Sequence, residues 1–353
     1  MIWPACGAEE PSCTAEAGSA PASQGAATAD LQTRQSGDGS FSLWSASFDE
    51  GFHSGRGALR EAQETFLVPS QLGRFGAGRR LTVVEVCVGT GTNLAALLEA
   101  SAMAGLELAW WGLELDPAPL QRALAEPTFR GQWQAHSLET LEELSERGRW
   151  QSPISSGGML WGDARRTLPK LLAQHQGQVD LVWHDAFSPQ HCPQLWTVEV
   201  LESLAALLAP QGRWISYCSA AAVREGLRLA GLHLAALSTP APLPRGGQPL
   251  PTPQPSAGGE EPGQGRAQRR AWSGGTVASP TALEPSPLWR PLSAMEWEHQ
   301  ASGAGEPYRD PSGTAPSPTI LAARLNAQAT ALACGSRSSS NAWRKRWGIG
   351  AQR

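Results

Sequence analysis

Between residues 81 and 237 the chain alternates short apolar runs with helix-forming stretches, and that alternation constrains the fold before any motif is considered. The runs LTVVEVCV (81–88), LELAWWGLEL (106–115), GGMLWG (157–162), VDLVWHD (179–185) and GRWISYCS (212–219) read as strands. Helical patterns separate them: Thr92 to about Ala104, a helix after Pro117, a short helix to His175, Thr197–Leu208 and Ala221–Ala230. A strand buried on both faces reads as a continuous apolar run, and regular β–α alternation means parallel strands joined by crossover helices. The expected architecture is an α/β, Rossmann-like, doubly wound sheet. Ligands of such sheets bind outside the carboxyl ends of the strands.

The flanks read differently. Residues 1–40 are rich in Ala, Gly and Ser with little to bury, which predicts disorder. Residues 41–237 form the expected core with an N-terminal extension. Residues 238–264 are a Pro/Gly-rich insertion. Order is expected to resume over 265–330, with a late edge strand in GRAQRRAWSGGTVAS (265–279) and a helix closing EPYRDPSGTAPSPTILAARLNAQ (306–328). Residues 331–353 read as a flexible, basic tail.

With 28 Lys and Arg against 32 Asp and Glu, the net charge of −4 is not that of a general polyanion binder. Six scattered cysteines include no CxxC pair, and His184, His191 and Cys192 lack a second ligand pair, so no metal site is expected. The opening MIWPACGAEEP has neither a basic region nor an apolar run, and no later segment approaches membrane-helix length. The expectation is a soluble, cytoplasmic protein.

VVEVCVGTGTNLAALL (83–98) is a strand, a glycine turn and a helix opening at Thr92-Asn93. Gly89 and Gly91 permit a tight turn and close backbone approach, and the helix N-terminus offers unpaired N–H groups to a ligand. A dinucleotide fingerprint would need a third glycine at Leu94. With Glu85 inside the strand, the stretch resembles motif I of class I S-adenosyl-L-methionine (SAM)-dependent methyltransferases, Cys87 standing where a first glycine is common. That resemblance implies a SAM site in which Glu85, Cys87, Gly89, Gly91 and Asn93 serve the methionine end. Glu114 would hold the ribose hydroxyls, with Asp116 as the competing choice, and Asp163 would lie near the adenine.

The stretch DAFSPQHCPQLWTVEVLESLAALLAPQGRWISYCSAAAVREGLRLAGL (185–232) carries D-A-F-x-P, P-x-L-W-T, Tyr217-Cys218-Ser219 and V-R-x-x-L-x-x-A-G. It resembles the methyltransferase family of the bacterial bifunctional tRNA 5-methylaminomethyl-2-thiouridine biosynthesis enzyme, in a standalone form. FSLWSASFDEGFHSGRGALREAQETFL (41–67) is similar to that family's N-terminal stretch, which helps form the substrate pocket. Phe41 stands where the family often has Tyr. The resemblance implies methyl transfer from SAM to the primary amine of 5-aminomethyl(-2-thio)uridine at the tRNA wobble position. Asp185 would aim the amine lone pair and help its proton leave, while Phe187 and Trp196 wall the pocket and stack on a splayed base. Tyr308 and Arg309 would close it.

Each assignment has a structural alternative: Asp185 as a turn cap, Phe187 and Trp196 as core, Tyr308 and Arg309 as a packed loop. At the level of function the alternatives are another amine substrate or a non-catalytic Rossmann-fold binding protein. Phosphate contacts would fall to local clusters: Arg79/Arg80, Arg147/Arg149, Arg165/Arg166, the Arg266, Arg269 and Arg270 run, and the RKR tail.

Overall fold

The computed structural model describes residues 30–238 and 274–349. Its centre is a nine-stranded sheet. The strands are β4 (Arg80–Val86), β5 (Glu107–Glu114), β6 (Arg149–Gln151), β7 (Ser156–Trp161), β8 (Val179–His184), β9 (Leu208–Ser216), β10 (His233–Leu237), β11 (Thr276–Ser279) and β12 (Trp289–Arg290), in the order β12-β10-β11-β9-β8-β4-β5-β7-β6. Strands β7, β5, β4, β8 and β9 are parallel. The chain moves outward from β4 first through β5 and later through β8, so the order reverses between β4 and β8, where a doubly wound sheet binds its ligand.

All six residues of β8 are buried, as are the last four of β4, which is why both read as unbroken apolar runs. Helices Thr92–Ala104 and Ala135–Arg147 cover one face, over a core that includes Trp110, Trp150 and Trp183. Helices Ala164–His175, Val198–Leu207 and Ala221–Leu229 cover the other, over Trp196 and Trp214.

Three expectations differ from this structure. Within residues 1–40, the described part is ordered: β1 (Leu31–Gln35) pairs antiparallel with β2 (Phe41–Ser45), which pairs with β3 (Glu50–Gly51). Only Leu31 of β1 is buried, so the strand is held by its ladder and by the Ser36–Ser40 turn rather than by an apolar pattern. The late strand β11 is not at an edge. Its four residues are all buried, and it inserts antiparallel between β9 and β10, leaving β12 outermost.

Nor is the basic tail free over its described length. Helix Ser317–Ala333 continues into it, and helix Ser340–Arg346 docks through Trp343, whose ring stacks on His299 at 3.9 Å while Nε1 donates to the Met295 carbonyl at 2.9 Å. Arg337 pairs with Glu225 and Glu306 beneath it. The insertion, Arg266, Arg269 and Arg270 lie outside the described residues.

Candidate active site

The carboxyl ends of β4, β5, β7 and β8 open onto a cavity of about 600 Å³, a size that suits a cofactor with part of a second ligand. Its opposite wall comes from the N-terminal sheet and the segment after it, through Leu31, Ser45, Phe48, Phe52 and His53.

The cofactor end is built on the turn after β4. Cys87, Gly89 and Gly91 have φ of 66°, 56° and 79°. Such values cost an L-residue about 1–2 kcal/mol, which Cys87 bears and the glycines avoid. A Cβ on Gly89 would also lie 3.0 Å from the Phe52 ring. The Gly89 N–H donates to Glu114 Oε2 at 2.8 Å, and Glu114 Oε1 accepts from Leu115 N–H at 2.6 Å, so the end of β5 clasps the turn. Burial pushes the Glu114 carboxyl up, against the pull of these N–H donors.

Asp116 accepts from Ala118 N–H at 2.8 Å and caps the next helix. Asp163 caps helix Ala164–His175 and holds Arg165 at 2.6 Å, while that guanidinium also reaches Asp310 at 2.8 Å. Cys87, Gly89, Asn93, Glu114, Asp116 and Asp163 all line the cavity; Gly91 lies behind it, its hydrogen side turned to Leu120 and Leu141.

Contrary to expectation, Glu85 lies behind the turn and not on the cavity wall, and it is fully buried. Its position inside β4 points it into the layer beneath the turn, where Oε2 accepts from Trp110 Nε1 at 3.1 Å and Oε1 has no partner among the described residues. Burial, with the charge of Asp185 adding to it, raises this carboxyl well above the ordinary range.

At the other end stands Asp185, on the loop leaving β8. Its Oδ2 accepts from Asn93 Nδ2 at 2.8 Å. Burial raises its pKa well above the usual carboxylate range, and the charge of Glu61 raises it further. Glu61 is fixed by the Ser54 N–H at 2.9 Å, and Glu50 by the N–H and hydroxyl of Ser188, both at 2.9 Å. The Tyr217 hydroxyl donates to the Ala186 carbonyl at 2.8 Å; burial raises its pKa, and the charges of Asp185, Glu50 and Glu61 all add to that shift. The charges of all three carboxyls reach this ring, and of the three only Asp185 lines the cavity; among the described residues none of them makes a salt bridge.

Phe187 lines the cavity, with Phe48 stacked on it at 4.8 Å and Phe52 edge-on at 5.1 Å. Trp196 does not. It is wholly buried, stacked on His184 at 4.2 Å, and acts from behind by donating Nε1 to the Phe187 carbonyl at 2.8 Å. Tyr308 is buried under the Arg324 guanidinium and Arg309 points outward towards Glu199 at 3.7 Å, so neither closes the cavity. Sequence reading placed the 41–67 stretch at the pocket but did not single out Phe48, Phe52, His53, Glu50 or Glu61. Their only signal was the resemblance of the stretch as a whole.

Sheet order, switch point and glycine turn define a class I SAM-dependent methyltransferase. Residues 154–239 match the family described as S-adenosyl-L-methionine-dependent methyltransferase. The chain is similar to the tRNA 5-methylaminomethyl-2-thiouridine biosynthesis bifunctional protein MnmC of Pseudomonas fluorescens Pf-5, 34% identical over 202 residues, covering 53% of this chain and 30% of the relative. The Chromobacterium violaceum protein of the same name is 31% identical over 205 residues, 54% of this chain and 30% of that one. The chain thus spans about 30% of the length of these relatives. The crystal structure of MnmC2 from Aquifex aeolicus superposes with a TM-score of 0.64 at 25% identity, covering 85% of each chain. The protein is a SAM-dependent methyltransferase, similar to MnmC over 53% of its length. Among the described residues no helix is long and apolar enough to cross a membrane, and no group of three or more His, Cys, Asp or Glu side chains is placed to hold a metal ion.

Proposed function

We propose that the protein methylates the primary amine of 5-aminomethyl(-2-thio)uridine at the wobble position of tRNA, giving the 5-methylaminomethyl form. The relatives' names supply the tRNA and the 5-methylaminomethyl-2-thiouridine product, and Asp185 is the observation that carries the chemistry: a half-buried carboxylate on the cavity wall, fixed by Asn93, with no cationic partner of its own among the described residues.

The cavity fits the cofactor. Positive φ at Gly89 and the N–H groups of the turn suit the methionine end, Glu114 the ribose hydroxyls, and Asp163 the adenine, with Cys87 and Asn93 beside them. Gly91 lets the turn close, and Glu85 supports it from beneath. Bound there, SAM would supply an electrophilic methyl carbon on a sulfonium sulfur, the amine nitrogen gaining the N–C bond as the C–S bond breaks and the sulfur leaves as a neutral thioether.

The protein's own work is on the amine. An alkylamine arrives protonated, and its ammonium is drawn to Asp185, Glu61 and Glu50. In a poorly solvated site an ammonium–carboxylate pair is favoured to exchange its proton, because two buried charges become none. Asp185 takes the proton, and the neutral nitrogen keeps its lone pair for attack. The product leaves as a secondary ammonium. Phe187 walls the pocket for the base, and the N-terminal sheet and the parallel core supply the residues that line it.

The test is incubation with labelled SAM and tRNA carrying 5-aminomethyluridine, against unmodified tRNA. Label on the modified tRNA alone is expected. No label despite measurable SAM binding would keep the methyltransferase and remove the tRNA assignment.

A further inference from the structure

The segment between β3 and helix Ala58–Glu61 closes the substrate end of the cavity, and His53 lies on that wall. Its Nδ1 is 3.0 Å from the hydroxyl of Ser42, a buried residue of β2, so the ring is fixed from behind. Among the described residues no protein group takes the other nitrogen, Nε2. Burial lowers the imidazole pKa to about 4, against the opposing pull of Asp38, so the ring is neutral at pH 7. Neutrality suits the place, since an imidazolium would repel the ammonium that the nearby carboxylates attract.

Beside His53, the rings of Phe52, Phe187 and Phe48 form a continuous aromatic surface. Such a wall suits a ligand that is flat and apolar on its face and polar at its edge. A linear alkylamine would reach Asp185 but would leave Nε2 unpaired.

We infer that His53 is a specificity-determining residue, hydrogen-bonding through Nε2 to the edge of a planar heterocycle laid against the aromatic wall, and so selecting heterocyclic amines over linear ones. The inference rests on the proposed reaction and names a residue that reads its substrate. The Ser42 hydroxyl can donate to Nδ1 or accept from it, so the ring can carry its proton on either nitrogen. Nε2 then either donates to a ring carbonyl or thiocarbonyl or accepts from a ring N–H.

The experiment compares the wild-type protein with His53→Phe, His53→Gln and Ser42→Ala. Steady-state methylation is measured on RNA carrying 5-aminomethyluridine and on a linear diamine, with SAM affinity and thermal melting measured alongside. Losing one hydrogen bond in a desolvated site is expected to raise KM for the RNA about tenfold in His53→Phe. SAM affinity should hold, and activity on the diamine relative to RNA should rise. His53→Gln should recover part of the loss. Ser42→Ala, which frees the ring without removing it, should show a smaller rise and keeps the test decisive if His53→Phe does not fold. Unchanged KM and unchanged amine preference in the folded variants would overturn the inference. A wild-type protein inactive on the modified RNA would instead overturn the proposed reaction, and this inference with it.

Discussion

Glu114 is where a one-atom substitution should separate cofactor binding from the rest of catalysis. Both its oxygens accept backbone N–H groups: Oε2 from Gly89 at 2.8 Å, and Oε1 from Leu115 at 2.6 Å and, more distantly, from Asp116 at 3.4 Å, so Oε2 keeps a lone pair for a ribose hydroxyl. Glu114→Gln preserves the shape but turns an NH₂ towards one of those N–H groups. Leaving one such buried donor unpaired costs about 1–3 kcal/mol, which should lower the melting temperature by several degrees. The charge-assisted bond to a ribose hydroxyl is worth about 1.5–3 kcal/mol, so the Kd for SAM should rise roughly 10- to 100-fold. Calorimetric titration with SAM, beside a melting curve, reads both effects. Asp116→Asn is the control: its Oδ1 can still accept from Ala118 N–H and cap the following helix, so it should lose little stability and little affinity. Tight SAM binding by Glu114→Gln with weak binding by Asp116→Asn would move the ribose contact to Asp116 and refute the reasoning.

Asp185→Asn should lower kcat by at least about 100-fold with SAM affinity retained, because the proton acceptor is lost and the cofactor turn is untouched. The same variant should gain stability relative to wild type as pH rises. Burial sets the Asp185 pKa above its unfolded value, so the folded state holds the proton longer and wild-type stability falls as pH climbs through that interval; melting curves across pH read the difference. Arg309→Ala should leave turnover unchanged and stability within about 0.5 kcal/mol, since its exposed 3.7 Å pairing with Glu199 lies away from the cavity. Burial pushes the Glu296 carboxyl up, but hydrogen bonds from Arg290, Ser293 and Arg224 outweigh it and hold the pKa at about 2. Its stabilising contribution is therefore present above the ordinary carboxylate range and lost as pH falls towards 2, and Glu296→Gln should flatten that acid limb of the melting profile.

The parallel core was legible because each of its strands is buried on both faces, which the sequence reports as an apolar run. The glycine turn was legible because its positive φ angles admit few residues, although Cys87 occupies one of them. What escaped notice was held by partners remote in sequence. Strand β1 is polar along four of its five positions and exists because β2 lies beside it. Strand β11 is four residues long, and its neighbours β9 and β10 end 60 and 39 residues before it begins, at Ser216 and Leu237 against Thr276. The tail read as basic, yet Trp343 docks it. At the site, residue type suggested an aromatic wall but not which ring: Trp196 has the better stacking surface, and β8 and its loop place it beneath Phe187 instead.

The acidic balance of the chain raises the question of how it would receive a polyanion. Several cations expected to meet phosphate have internal partners: Arg165 holds Asp163 and Asp310, Arg79 holds Asp180 at 2.9 Å, and Arg147 lies 3.6 Å from Glu143. The cavity lining carries the carboxyl groups of Asp30, Glu114, Asp116, Asp163 and Asp185 and no Lys or Arg. A substrate that carries both an ammonium and phosphates is therefore oriented by charge, the amine drawn inward and the backbone kept at the rim. The two contacts differ in their response to salt. Rim contacts with phosphate are exposed and screened within about 10 Å at 0.1 M ionic strength, whereas the buried amine–carboxylate contact is screened far less. KM for modified RNA should climb steeply with ionic strength, while the single-turnover rate of the saturated complex stays nearly constant. A single-turnover rate that fell in step with the binding would mean that salt reaches the carboxylates, and that the amine is not held where Asp185, Glu61 and Glu50 place it.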